Sequence, residues 1–116
     1  MDNLRSGNQK KIIAMSSTNG SLTEPLPGAQ GIAYRASKAA LNRAMQLVAV
    51  KVREEGMLVL MLHPGTVVTD RLIGNRGLPG TVDPEPSVAG MIRVIERATM
   101  ADTGKFLQYD GTTAPW

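Results

Sequence analysis

Two short apolar runs, Ile12–Met15 and Met57–Leu62, bracket a long stretch with helical periodicity, and that pattern admits few folds. Each run is short and flanked by polar residues, as expected for strands of a parallel sheet covered on both faces. Between them Ala33, Ala36, Ala40, Leu41, Ala44, Met45, Val48 and Val52 recur at the 3.6-residue spacing. This predicts a helix from about Ile32 to Glu54, with Gly56 as its C-cap. Two strands joined by a long helix form a βαβ unit, which crosses over right-handed because of strand twist.

The pattern then recurs. Asp83 suits a helix N-cap with Pro84 at the first helical position, and the helix 84–98 would carry Val88, Met91, Ile92 and Ile95 on one face. Lys105–Tyr109 reads as a last strand. The expected fold is α/β: a three-stranded parallel sheet of Lys11–Met15, Met57–His63 and Lys105–Tyr109, with helices 32–54 and 84–98 on opposite faces. Met1–Gln9 reads as the tail of a helix before the first strand. Pro25, Pro27, Gly28 and Gly31 keep the segment before the long helix irregular. Gly74–Pro86 is the one linker-like stretch; its Gly74, Gly77 and Gly80 follow no strand and open no helix, so they read as a flexible loop. The chain of 116 residues has room for one domain, about half of a doubly wound fold, so 1–116 is expected to be a single partial domain.

Charge does not point elsewhere. The net charge is +3, but Arg5, Lys10, Lys11, Arg43, Lys51, Arg53, Arg71, Arg76, Arg93 and Arg97 are dispersed among acids. With one Trp, two Tyr and one Phe there is no platform on which bases could stack, which argues against nucleic acid. The absence of cysteine fits a reducing cytoplasm. No apolar stretch approaches the ~20 residues of a membrane span. His63 has no Cys, His or carboxylate at ligand spacing, so it reads as a strand-end residue rather than a metal ligand.

The polar residues collect where the strands end. Ile12–Met15 runs into Ser16, Ser17, Thr18, Asn19 and Gly20, and Met57–Leu62 into the phrase HPGTVVTD, residues 63–70. In open α/β sheets the carboxyl ends of the strands are where ligands bind. On the helix between, Tyr34 and Lys38 stand at i and i+4, one turn apart on one face. A phenol is a poor proton shuttle at neutral pH, and a neighbouring cation favours its ionised form and brings it closer to acid–base work.

Three motifs thus occur in order: S-x-x-G as Ser17 to Gly20, Y-x-x-x-K as Tyr34 to Lys38, and P-G-x-x-x-T as Pro64 to Thr69. Each is weak alone. Together they resemble the short-chain dehydrogenase/reductase (SDR) family, over nearly the whole chain. The phrases AYRASKAALN, HPGTVVTD and YDGTTAPW are most similar to its C-factor and sniffer-type carbonyl reductase branch. The resemblance implies the C-terminal half of a Rossmann-type doubly wound parallel sheet, and an oxidoreductase transferring hydride between NAD(P) and a small carbonyl or alcohol. NADP is favoured by the branch.

Carried over by motif, Tyr34 would be the general acid in reduction. Lys38 would favour the Tyr34 phenolate and bond the nicotinamide ribose. Ser17 would hold the carbonyl oxygen, with Ser16 its rival and Ser37 a packing residue. Pro64, Gly65, Thr66 and Val67 would contact the nicotinamide, and Thr69 would offer a hydroxyl to the carboxamide or phosphate. The family's glycine-rich pyrophosphate turn has no counterpart before Lys11. The resemblance therefore implies a truncated chain, and the competing reading is an inert fragment or a subunit whose cofactor site another chain completes. In a full domain the helix 32–54 is expected to form a homo-oligomer contact. No nucleic-acid or membrane partner is expected.

Overall fold

Every residue of the strand Leu58–His63 is buried, and the rest of the chain is arranged around it. The computed structural model describes residues 1–116 apart from the side chain of Arg71. In chain order the elements are α1 (Asp2–Ser6), β1 (Lys11–Met15), α2 (Ile32–Val52), β2 (Leu58–His63), β3 (Thr66–Val67), β4 (Thr81–Val82), α3 (Pro84–Arg97) and β5 (Phe106–Gln108), with short 3-10 turns between them. The sheet order is β1-β2-β5. Both pairings are parallel, with Ile13 opposite Leu60 and Leu62 opposite Leu107. The predicted three-stranded sheet is therefore present, with β1 as expected, β2 beginning at Leu58 rather than Met57, and β5 lacking Lys105 and Tyr109.

Alternation along the strands sorts the two faces. Ile12 and Ala14 of β1 join Val59, Met61 and Phe106 against Met45, Val48, Ala49 and Val52 of α2. Lys11 points the other way: its Nζ donates to the carbonyl of Ile95 at 2.6 Å and to that of Glu96 at 3.4 Å, both in α3. So α2 and α3 cover opposite faces, as the βαβ pattern predicts. An ammonium there also satisfies carbonyls that the last turn of α3 leaves without intrahelical partners. Each fully buried aliphatic side chain of β2 contributes about 1.5–3 kcal/mol, so Leu60→Ala at the centre should cost roughly 2–5 kcal/mol.

Three local expectations are corrected. In α2, Ala33, Ala36, Ala40 and Ala44 are exposed, and the buried positions are Asn42, Ala49 and Val52. Alanine favours a helix wherever it stands and loses little when solvated, so it reports helix rather than face. In α3 the predicted apolar face is half open, with Val88 50% and Ile92 49% exposed, while Ser87 and Gly90 are buried. The cause is close approach: a Cβ on Gly90 would lie 2.4 Å from the Tyr109 carbonyl oxygen, so only small residues fit against the sheet end. Finally, the linker-like 74–86 contains β4, which pairs in parallel with β3 through Thr66–Thr81 and Val67–Val82. Gly56 closes the long helical stretch in the left-handed conformation, φ +68°, after a 3-10 turn over Arg53–Glu55. Asp83 stands at the N-cap of α3 but makes no side-chain cap bond; its carboxylate faces Arg76 at 3.3 Å.

Candidate active site

At the carboxyl ends of β1 and β2 lies a cleft of about 270 Å³, lined by Ser16, Ser17, Thr18, Asn19, Tyr34, His63, Pro64, Gly65, Thr66, Val67 and Leu72. It joins all three sequence motifs. A larger depression of about 370 Å³ lies between α3 and the last strand, bordered by Arg93, Arg97, Asp102 and Asp110. None of the motif residues lines it.

The two serines are held differently. Ser16 donates its backbone N–H to Leu62 at 2.7 Å and its hydroxyl to Asn42 Oδ1 at 2.5 Å, so its proton is committed to the interior. Ser17 caps the 3-10 turn Thr18–Gly20, and its Oγ accepts from the Asn19 N–H at 3.1 Å. As an acceptor in that bond, Ser17 keeps its own hydrogen available. The glycine of S-x-x-G has a steric reason: a Cβ on Gly20 would lie 2.6 Å from the Lys38 carbonyl carbon, so only glycine lets this turn close against α2.

Tyr34 is half exposed, 51%, on the first turn of α2. Lys38 Nζ lies 5.7 Å from the Tyr34 ring centre and donates to the Met15 carbonyl at 3.2 Å, so the ammonium bridges helix and strand end beside the phenol. Lys38 itself does not line the cleft. Ser37 does not pack as expected: it is exposed and donates to the Tyr34 carbonyl within the helix at 2.7 Å.

The facing wall is backbone. Gly65 has φ +87°, which favours glycine, and a Cβ there would lie 2.8 Å from Val82 Cγ1 and 3.0 Å from Tyr109 Cε1. Pro64 is pinned to α3, its carbonyl accepting from Ser87 Oγ at 2.6 Å. Pro64, Gly65, Thr66 and Val67 thus reach the cleft. Thr69 does not; it precedes the 3-10 turn Asp70–Asn75, and its carbonyl accepts from the Leu72 N–H at 2.8 Å.

His63 closes the floor. Its Nδ1 accepts from the Thr18 N–H at 3.4 Å, and its Nε2 lies 3.4 Å from Thr18 Oγ1, so the imidazole ties the Ser17 turn to β2. Burial pushes its pKa below the ordinary histidine value, with a smaller opposing pull from Glu24. No group of three metal-ligating side chains occurs among the described residues. No described helix is long and apolar enough to cross a membrane.

Asn42 was not legible as a site residue. The one signal is its spacing: it continues the i, i+4 line from Tyr34 through Lys38, and a polar residue there interrupts the stripe that meets the sheet. Its Nδ2 is buried without a partner among the described residues.

Comparison with known proteins gives the family and the fold. Residues 1–76 match the short chain dehydrogenase family. Over 97% of its length the chain is 40% identical to the C-signal protein of Myxococcus xanthus, covering 65% of that protein. The NADPH-bound carbonyl reductase from chicken fatty liver superposes with a TM-score of 0.86 at 34% identity, over 97% of this chain and 48% of that one. The Drosophila melanogaster carbonyl reductase Sniffer superposes at 0.80 with 35% identity, over 91% and 41% respectively. The chain thus spans 41% to 65% of the length of these three proteins.

Proposed function

The chain belongs to the short-chain dehydrogenase family, and from that premise we propose that it carries the Ser-Tyr-Lys site of an NAD(P)-dependent carbonyl reductase. The observation that carries this reading is the difference between adjacent serines. Both border the cleft with Tyr34, but Ser16 gives its hydrogen to Asn42, whereas Ser17 accepts from Asn19 and keeps its own to give.

The chemistry follows from these side chains. Ser17 and Tyr34 both donate to the oxygen of a bound carbonyl. As negative charge grows on that oxygen, the Ser17 hydroxyl stabilises it, an effect often worth about 3 kcal/mol per donor. Tyr34 then releases its phenolic proton to the oxygen and completes the alcohol. Lys38, fixed by the Met15 carbonyl, stabilises the negative charge left on Tyr34. The half-exposed phenol regains a proton from solvent.

The cleft fits the nicotinamide end of a cofactor, since one wall is the backbone of 64–67, held open by a left-handed Gly65. When bound, the cofactor supplies the hydride to the carbonyl carbon. Pro64, Gly65, Thr66 and Val67 would hold its ring, and Lys38 and Thr69, outside the cleft lining, would reach the ribose and the carboxamide or phosphate. NADP is the preferred form, in line with the NADPH-bound chicken relative.

Because the chain spans only part of its relatives' length, the pyrophosphate and adenosine fall to residues outside it. The alone-standing chain is therefore read as inactive, either a fragment or a subunit completed by another chain. The exposed Ile32, Leu47 and Val50 of α2 support a packing role for that helix, in a homo-oligomer of the completed domain. The test fuses a family nucleotide-binding half to Met1 and follows NADPH oxidation with an aromatic aldehyde. Turnover by the fusion, abolished in Tyr34→Phe and absent from the unfused chain, is expected. A fusion whose turnover survives Tyr34→Phe would sink the mechanism, and brisk turnover by the unfused chain would sink the half-site reading.

A further inference from the structure

His63 meets the Ser17 turn with both ring nitrogens at one residue. Nδ1 accepts from the Thr18 N–H and Nε2 lies against Thr18 Oγ1, each at 3.4 Å. Accepting at Nδ1 requires that nitrogen bare, so the neutral ring carries its hydrogen on Nε2 and offers it to the threonine hydroxyl. Thr18 opens the 3-10 turn that Ser17 caps, and the first N–H of a helical turn has no acceptor within it. The imidazole supplies that acceptor from the end of β2.

The other end of the turn is held separately. Ser21 Oγ and the Leu22 N–H donate to the Trp116 main-chain oxygen at 2.7 Å, and the Thr23 N–H at 2.8 Å. The segment carrying Trp116 folds back on β5, where the Ala114 N–H donates to the Phe106 carbonyl at 2.9 Å. With Gly20 wedged against α2, what remains to be set is the Ser17–Thr18 end, and His63 faces it.

A second proton on the ring reverses its role. Nδ1–H then points at the Thr18 N–H, donor against donor, where His63 is 9% exposed. No Asp, Glu, Lys or Arg lines the cleft among the described residues, so no carboxylate there receives the cation. Glu24, exposed in the segment before α2, pulls weakly toward the charged ring. Tyr34 shares the cleft from α2, and Lys38 is held at the Met15 carbonyl. Tyr109, just beyond β5, donates its backbone N–H to the His63 carbonyl at 2.9 Å. From α3 the neighbouring side chain is the uncharged Ser87, on the Pro64 carbonyl. Asp70, on the turn that carries Leu72, lies outside the cleft lining.

We propose that His63 is a positioning residue for Ser17: the neutral imidazole holds Thr18 and so aims the serine hydroxyl, and protonating the ring lets the turn go. Acid thereby withdraws the donor. The effect on catalysis rests on the Ser17 and Tyr34 roles proposed above; the hold of His63 on Thr18 does not. The rest of the site gives acid no such effect. Reduction uses a protonated Tyr34, a neutral Ser17 and a charged Lys38, and falling pH favours or leaves untouched each of those forms. Within this chain, a loss of reduction in acid therefore singles out the histidine. Both contacts are long, which limits the loss to a few-fold.

The first measurement needs no cofactor or substrate. His63 is the one histidine of the 116 residues, so its ring signals in NMR are unambiguous. Between about pH 8 and 5 the ring and the Thr18 amide should shift with one shared midpoint, below the ordinary histidine value. The Val59 and Leu60 amides should stay put, showing β2 intact. A ring that remains neutral to the end of that range, or a Thr18 amide that ignores it, would overturn the switch.

The second measurement uses the enzyme completed by a family nucleotide-binding half. Its kcat for an aromatic aldehyde should fall about fivefold between about pH 8 and 5, with little change in KM. His63→Asn keeps an acceptor on the same Cγ but cannot titrate; it should lower kcat about threefold and abolish the decline. His63→Leu offers no acceptor and should lower kcat about fivefold at every pH. On a Ser17→Ala background the decline should vanish. A decline that persists in His63→Asn or in Ser17→Ala would show that His63 does not act through the serine. Absence of turnover in the completed enzyme would count against the reductase reading alone, since the ring and Thr18 signals decide the contact without it.

Discussion

Ser16 donates its hydroxyl to Asn42 Oδ1, from the residue after β1 to the middle of α2, and both partners are buried. The bond holds the strand end and α2 in one register, and it leaves two chemically identical neighbours with different hydrogen bonds. Removing either partner strands a buried polar group. Asn42→Leu and Ser16→Ala should each destabilise the chain by about 1–3 kcal/mol, while the double variant should cost less than the sum. Urea unfolding of the four proteins measures the coupling; strict additivity would show that the bond contributes nothing.

Gly20→Ala should destabilise by roughly 1–3 kcal/mol, because its Cβ would meet the backbone of Lys38 and no side chain can swing away to relieve the clash. The relief available is withdrawal of the Ser17 turn from α2. In the fused enzyme kcat should therefore fall even at temperatures where the variant is fully folded. Full activity in the folded variant would refute the link between this contact and the site.

In the same enzyme, Ser17→Ala and Tyr34→Phe should each lower kcat by about a hundredfold or more, and Ser16→Ala by less than about tenfold. Steady-state kinetics at saturating NADPH decides between the serines. A larger loss at Ser16 than at Ser17 would reverse the assignment.

His63 should make stability depend on pH. Burial lowers its folded pKa below the ordinary value of 6.5, so the unfolded chain binds the proton more readily. Stability is then fully present above about pH 6.5 and is lost as pH falls from there through the lowered folded value. Asp102 and Asp110, whose carboxyls are held low mainly by Lys105 and by Thr112, act in a separate and more acidic window. Urea midpoints taken from about pH 7.5 down to 5 should decline in the native chain and flatten in His63→Gln. An identical decline in both would remove His63 as the cause.

The sheet and both long helices were legible because their signals are local: short apolar runs, helical spacing, Pro84 at a helix start and Gly56 at a helix end. The motifs brought Ser17, Tyr34 and the 64–67 loop to one cleft for the same reason, since strand ends and helix starts set their positions. What escaped depends on contacts distant in sequence. β3 and β4 have two residues each and exist only because they pair with one another. The inward face of α3 is chosen by distant partners: Gly90 meets Tyr109 and Ser87 donates to the Pro64 carbonyl, while Val88 and Ile92 stay half exposed. Asn42 is a polar residue whose burial makes sense only once Ser16 stands opposite.

The bonds from residues 21–23 to Trp116 also order events in time. These are the longest-range hydrogen bonds at the site, spanning 95 residues from Ser21 and 93 from Thr23, and loop-closure entropy makes such contacts slow to form. The turn beyond Ser17 therefore settles only after β1, α2 and β2 have assembled and the segment that follows β5 has folded back on them.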